Sequence, residues 1–347
     1  MKTVLIVGGD FGNTPKKSSI IEKLSIGFNN VTVVNGGSVQ DLIDINLQGY
    51  KLILWMANVD NEIHKYYAKK DVGSILICSK VLRENRNMGD AVARIFKMNA
   101  NAVIAIESDA NPFVFNLVDA LGNSWCKTSN LLELTNSIGD LYRWHEESIR
   151  VGTILNKEMP IDDSSDRERL EDFTEVVKLV ADKVENERGG RYFGNASTRC
   201  SKMFPSYRFY RSRTSIFVSA RNVPKDRMTV DDFVIVSLID GKVNYNSKSK
   251  PSVDTPVQLE LYNRYDINYM IHGHAYIDNA QFTDNYYPCG DLRELEEIEK
   301  CFDRDVFVIN LKNHGFVIAT ETLEEMREIV EKSKFIYRTM GENYEKS

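Results

Sequence analysis

The chain has 347 residues, 42% of them hydrophobic and 27% charged, which is the composition of a globular protein long enough for two domains with filled cores. Its formal net charge of −6 excludes the basic footprint that a phosphate backbone needs, so no nucleic-acid partner is expected. No apolar run approaches the roughly 18 residues that span a bilayer, so no membrane partner is expected either. Met1-Lys2-Thr3-Val4 is expected to enter a strand directly instead of opening a signal peptide. Five scattered cysteines without a Cys-x-x-Cys pair fit a reducing, cytoplasmic setting.

Residues 1–150 alternate short apolar runs with helical patterns. Strands are expected at Thr3–Val7, Val31–Val34, Leu52–Trp55, Ile75–Cys78 and Ala102–Ile106, with helices starting near Ser18, Val39, Ile63, Met88 and Pro112. This alternation predicts an α/β domain with a doubly wound parallel sheet, Rossmann-like or flavodoxin-like. The turn from Gly8 to Ser18 is where such sheets take phosphate. It is not a G-x-G-x-x-G, and the second strand runs into Asn35-Gly36-Gly37 where a ribose-binding carboxylate would stand, so no dinucleotide cofactor is expected. A phosphate or nucleotide site and a plain glycine-rich turn both remain open for this loop. Ser79, Lys80, Arg83 and Arg86 either line the same crevice or are solvated. His64 and His145 sit in mixed-polarity helical patterns and are assigned to the surface.

Residues 151–165 have the polar, proline-containing character of a linker. A charged helix is expected from about Arg167 to Glu187, its stripe made by Phe173, Val176, Val177, Leu179 and Val180. The chemistry lies in the following segment, residues 166–347, where three of the five histidines stand close to a carboxylate: Asp254, then His272-Gly273-His274, then Asn313-His314-Gly315. Residues two apart in a strand point the same way, so His272 and His274 can present two imidazoles to one ion. Asp254 precedes a helical pattern from Pro256 to Tyr265, and His314 follows the strand-like run Val306–Leu311. Three imidazoles with an open or carboxylate-filled fourth position describe a catalytic zinc site. Asp254 before Thr255-Pro256 is also a good helix N-cap.

Taken in order, Gly194-Asn195-Ala196-Ser197-Thr198-Arg199, Val218-Ser219-Ala220, Pro251-Ser252-Val253-Asp254, His272-Gly273-His274 and Asn313-His314-Gly315 resemble the motifs of the class II aldolase/adducin family. Asp-Thr-Pro after the serine is similar to the L-ribulose-5-phosphate 4-epimerase branch. The resemblance implies a C-terminal class II aldolase-like α/β/α domain with a divalent metal, zinc or alternatively manganese or another ion, on His272, His274 and His314. It implies a substrate pocket containing Asn195, Ser197, Ser219 and Ser252, with Asp254 and Asp284 as acid/base residues, and a C-terminal tyrosine, Tyr337 or Tyr344, in proton transfer. The family's glycine and second serine are replaced by Ala220 and Val253, so either the phosphate is held differently or the substrate is not a standard sugar phosphate; the segment with Arg208, Arg211 and Arg213 either supplies an arginine to the phosphate or pairs across a subunit interface. The implied activity is cleavage or epimerisation of a small ketose or ketose phosphate through a metal-stabilised enediolate, in a homotetramer whose sites are completed by neighbours. The alternatives are a dehydratase on the same scaffold, its first domain handling a nucleotide-derived part of the substrate, and a non-catalytic adducin-like interaction protein.

Overall fold

The computed structural model describes residues 4–8, 16–35, 45–57, 75–82, 87–107, 110, 112–146, 153–154, 161, 164–200, 215–239, 242–245, 247, 249–301 and 306–337. The chain divides between Glu146 and Glu147 into two compact units.

The inner apolar runs of the first unit become strands because they are buried on both faces, as in a parallel sheet, while the edge run Val31–Asn35 is partly exposed, Val33 at 40%. Its elements are β1 (Val4–Gly8), α1 (Lys16–Ile26), β2 (Val31–Asn35), β3 (Leu52–Trp55), β4 (Ile75–Leu82), α2 (Met88–Lys97), β5 (Ala102–Glu107), β6 (Val114–Asp119), β7 (Ser124–Thr128) and α3 (Leu131–Trp144). The sheet order is β2-β1-β3-β4-β5-β6-β7, and the first five strands are parallel. The order 2-1-3-4-5 is the flavodoxin-like one. Helix α2 starts where Asn87 and Asp90 form a reciprocal capping box.

The helix expected from Pro112 is instead the antiparallel pair β6–β7. Asp119 decides this, because its Oδ1 accepts from the backbone amides of Leu121 and Asn123 and closes a tight turn around Gly122. His145 is also not a surface residue: it is 6% exposed and packs against the Trp144 ring at a centroid distance of 4.6 Å. Ser79 is buried and Lys80 half-buried. The helices expected near Val39 and Ile63, His64, Arg83, Arg86 and most of the Gly8–Ser18 turn lie outside the described residues.

The second unit contains β8 (Thr153–Ile154), α4 (Ser164–Ala181), β9 (Glu187–Arg188), β10 (Arg191–Tyr192), β11 (Asn195–Arg199), β12 (Ser215–Ser219), β13 (Phe233–Ile239), β14 (Lys242–Tyr245), α5 (Thr255–Arg264), β15 (Tyr269–Gly273), β16 (Tyr276–Ile277), β17 (Gln281–Phe282), α6 (Arg293–Glu299), β18 (Phe307–Leu311), β19 (Gly315–Thr320), α7 (Leu323–Lys332) and β20 (Phe335–Ile336). Nine strands form one sheet in the order β17-β18-β19-β15-β11-β12-β13-β14-β8. The two-residue β8, inside the segment expected to be a linker, pairs with β14. Helix α4 ends at Ala181, earlier than its charge pattern suggested, where Asn186 Nδ2 donates to the Ala181 carbonyl.

Strand alternation sorts the core into two layers. Ile216, Val218, Met270, Val317 and Ala319 face Val257, Leu261 and Tyr262 of α5 and Leu295 and Ile298 of α6. Phe217, Ile271, Phe316 and Ile318 face Leu170, Phe173, Val176 and Val177 of α4 and Met326 and Val330 of α7. Full burial of Phe173 and of Phe217 contributes about 1.5–3 kcal/mol each. His272 shares the parity of Met270 on β15, so the layering turns it toward the α5 side. Among the described residues no helix is long and apolar enough to cross a membrane, and the five cysteines are free thiols.

Candidate metal centre

Three adjacent strands build the centre. β15 pairs with β19 so that His272 opposes Val317, and with β11 so that His272 opposes Asn195. Gly194 makes the second approach possible: its φ is +72°, and a β-carbon there would lie 2.5 Å from the His272 carbonyl oxygen, so a larger residue would push β11 away. His314 sits in the turn between β18 and β19. Asn313 takes a left-handed φ of 55° there, which asparagine tolerates, and His314 N closes the turn on the Leu311 carbonyl at 3.1 Å.

The three imidazoles converge. Ring centroids are 5.1 Å apart for His272 and His274, 4.6 Å for His272 and His314, and 5.5 Å for His274 and His314. One nitrogen from each lies within 4.8 Å of the others. His272 Nδ1 bonds the Phe316 carbonyl at 2.8 Å, which fixes its proton on Nδ1 and leaves Nε2 as a lone pair. That Nε2 is buried and has no hydrogen-bond partner among the described residues. His314 Nδ1 lies 2.9 Å from Glu294 Oε1, the carboxylate–imidazole pairing that orients metal-binding histidines. His274, half-buried, lies against the Phe193 ring.

Burial, and then the neighbouring His314, push the His272 imidazole down to about 4. Burial, then the Asp254 charge, hold the Glu294 carboxyl well above the ordinary carboxylate range. A cation requires neutral imidazoles, and an inward, buried lone pair beside two further histidines is a donor set that fits a divalent ion. In the metal-free protein His272 is expected to titrate near pH 4, well below the ordinary 6.5. Because folding lowers this pKa, its contribution to stability is complete above about pH 6.5 and is lost as pH falls toward about 4. A proton NMR titration of the imidazoles checks this, and a His272 midpoint near 6.5 contradicts it.

Asp254 occupies the N-cap position of α5, yet its side chain makes no capping hydrogen bond. Instead Oδ2 accepts from Asn195 Nδ2 at 2.7 Å and lies 4.0 Å from His272 Nε2, while Oδ1 is buried without a partner among the described residues. Asn195 is held in turn by Gln258 of α5, whose amide donates to Asn195 Oδ1. This chain of amides aims the carboxylate at the histidines.

The serines are placed differently. Ser197 is fully buried on β11 with its hydroxyl against Tyr262 Oη at 3.1 Å. Ser219 Oγ accepts from the Ala196 amide, and Ser252 Oγ from the Asp254 amide at 3.4 Å. Ser252 thus supports the backbone at Asp254, Ser219 that of β11, and Ser197 ties β11 to α5. Arg199 closes the C-terminal end of α5, donating to the carbonyls of Tyr262, Tyr265 and Ile267. Asp284 is exposed and is not among the ligand atoms that converge. Tyr337 Oη donates to Glu185 and accepts from Arg188. Residues 201–214, with Arg208, Arg211 and Arg213, and Tyr344 lie outside the described residues. Sequence reading missed Glu294, Gln258 and Cys289, whose Sγ lies 3.2 Å from His314 Nε2.

Residues 175–280 match the family described as the Class II Aldolase and Adducin N-terminal domain. The matched segment is of the class II aldolase type. The class II aldolase segment is similar to a methylthioribulose-1-phosphate dehydratase of Persephonella marina, 26% identical over 107 residues that cover 30% of this chain and 49% of that protein. The chain thus spans about half the length of this curated relative. Similar solved structures include the N-terminal class II aldolase domain of a conserved protein from Thermoplasma acidophilum, with 16% identity, coverage of 52% of this chain and 97% of that one, and a TM-score of 0.37. Another is the L-fuculose-1-phosphate aldolase of Thermus thermophilus, with 15% identity, coverage of 48% and 93%, and a TM-score of 0.32. Members of the family are typically dependent on a divalent metal, and the His272, His274 and His314 set is where this chain's class II aldolase domain offers ligands.

Proposed function

We propose that the chain is a metal-dependent lyase or epimerase of the class II aldolase type, acting on a small phosphorylated ketose. The observation that carries this reading is the convergence of His272, His274 and His314 at the buried His272 Nε2, with Oδ2 of the Asp254 carboxylate 4.0 Å from that nitrogen. A non-catalytic scaffold gains nothing from burying three imidazoles around a lone pair, which is costly unless something is bound. When present, a divalent cation on these histidines supplies Lewis-acid stabilisation of negative charge developing on substrate oxygens.

The chain's own residues do the rest. Asp254 Oδ1 takes the proton of a substrate hydroxyl and returns it later, while Asn195 keeps Oδ2 occupied and the carboxylate oriented. Arg221 follows Ser219-Ala220 and feels the charges of Asp254 and Cys289, although burial is what chiefly lowers its pKa. We assign it to the anionic end of the substrate, in place of the donors lost at Ala220 and Val253. Asp284, exposed here, serves a neighbour's centre in a homotetramer, the native ion being zinc. The protein works in the cytoplasm.

A second reading, dehydration of a ketose phosphate, is favoured by the similarity to a protein named as a methylthioribulose-1-phosphate dehydratase. Elemental analysis of purified protein is expected to show one divalent ion per chain. Assay of the loaded enzyme against pentulose and hexulose 1- and 5-phosphates, with methylthioribulose 1-phosphate among them, separates cleavage, epimerisation and dehydration. Protein that binds no metal under any loading condition refutes the proposal.

A further inference from the structure

Pro288-Cys289-Gly290 is packed onto the loop that carries Asp254. Gly290 has a φ of +78°, and a β-carbon there would lie 2.4 Å from the Val253 carbonyl oxygen, so the approach is open to glycine alone. Its consequence is to hold Cys289 beside His314. Cys289 Sγ lies 3.2 Å from His314 Nε2, and one ligand atom each from Asp254, Cys289 and His314 lie within 4.8 Å of one another. This is a second set of donors, and it shares His314 with the three-histidine set.

A separate feature of the same centre points to a ligand there. His272 is 5% exposed, and its Nε2 has no hydrogen-bond partner among the described residues. Zinc bonds of about 2.3 Å to sulfur and 2.0 Å to nitrogen at a tetrahedral angle place the two donors about 3.5 Å apart. The observed sulfur–nitrogen separation is close to that of two ligands on one ion.

We infer that Cys289 is a further ligand of the ion held by His272, His274 and His314, bound through Sγ as a thiolate. This rests on the metal-centred reading above. The thiol proton leaves to solvent as the metal–sulfur bond forms, so one proton is released per ion bound. A thiolate beside imidazoles selects borderline-soft ions, zinc and cobalt, over manganese and magnesium.

The test is loading of the full-length metal-free protein with cobalt(II) alone, followed by absorption spectroscopy. Wild-type protein is expected to show the near-ultraviolet thiolate-to-cobalt charge-transfer band. Cys289→Ser is expected to bind cobalt at least about tenfold more weakly and to lack that band while keeping the visible bands of imidazole-bound cobalt. If wild-type protein shows the visible bands, lost in His272→Ala, without a charge-transfer band, the cysteine assignment is overturned and the three-histidine centre stands. A charge-transfer band that persists in Cys289→Ser overturns the assignment in the same way. Protein that takes up no cobalt overturns this inference and the metal-dependent function together. Cys289→Ala serves as a second variant, and its circular dichroism shows whether the turn still folds.

Discussion

His314→Ala is expected to lower metal affinity by more than about 100-fold and to remove turnover with it. Loss of an orienting partner alone typically costs 10- to 100-fold, and this change removes the ligand itself. His314 is the donor common to both ligand sets, and its ring is also the group that Glu294 orients. The fold should survive, because the flanking strands β18 and β19 pair through their own backbones and the turn is closed by the His314 amide, which alanine retains. Glu294, already held well above the ordinary carboxylate range by burial, can remain protonated when its partner is removed. His272→Ala and His274→Ala are expected to act in the same direction. Elemental analysis beside far-ultraviolet circular dichroism checks the series. A full complement of metal in two of the three variants shows that the ligands lie elsewhere.

The sequence revealed those features whose cause is local. The apolar runs of β1, β3, β4 and β5 are legible because parallel strands inside a sheet are buried on both faces. The His272–His274 pair is legible as a motif, but the strand period expected to align the rings does not place His274, because β15 ends at Gly273 and His274 lies in the bend that follows. What was missed depends on contacts between distant segments or on one turn. Val114–Asp119 carries no strict alternation, and only the Asp119 side chain bonding the amides of Leu121 and Asn123 reveals a hairpin. Glu294 and Cys289 precede His314 by 20 and 25 residues, and nothing in the spacing ties them to it until α6 and the Gly290 turn are folded against β18 and β19. Ser197 and Ser219 were legible as motif positions, but the partners of their hydroxyls, Tyr262 and the Ala196 amide, follow only from the folded strands β11 and β12 and the helix α5 beside them.

Asp254→Asn tests the residue whose role the sequence left divided between a helix cap and a catalytic group. The structure gives the carboxylate no capping bond and ties it to Asn195 on β11, the second oxygen having no partner among the described residues. Asparagine keeps the shape and can still accept from Asn195, so α5 should form as before and thermal stability should change little. Three histidines still hold the ion, so most of the metal should remain. What disappears is basicity at Oδ1, and removal of a general acid/base typically costs on the order of 10²-fold or more in turnover. Steady-state kinetics on metal-saturated variant and wild type, with metal content and melting temperature measured on the same samples, separates the roles. A variant that melts lower but turns over like wild type makes Asp254 a packing residue at the start of α5. A variant with intact metal and stability but turnover reduced by that factor places the proton transfer on the carboxylate oxygen that has no partner among the described residues.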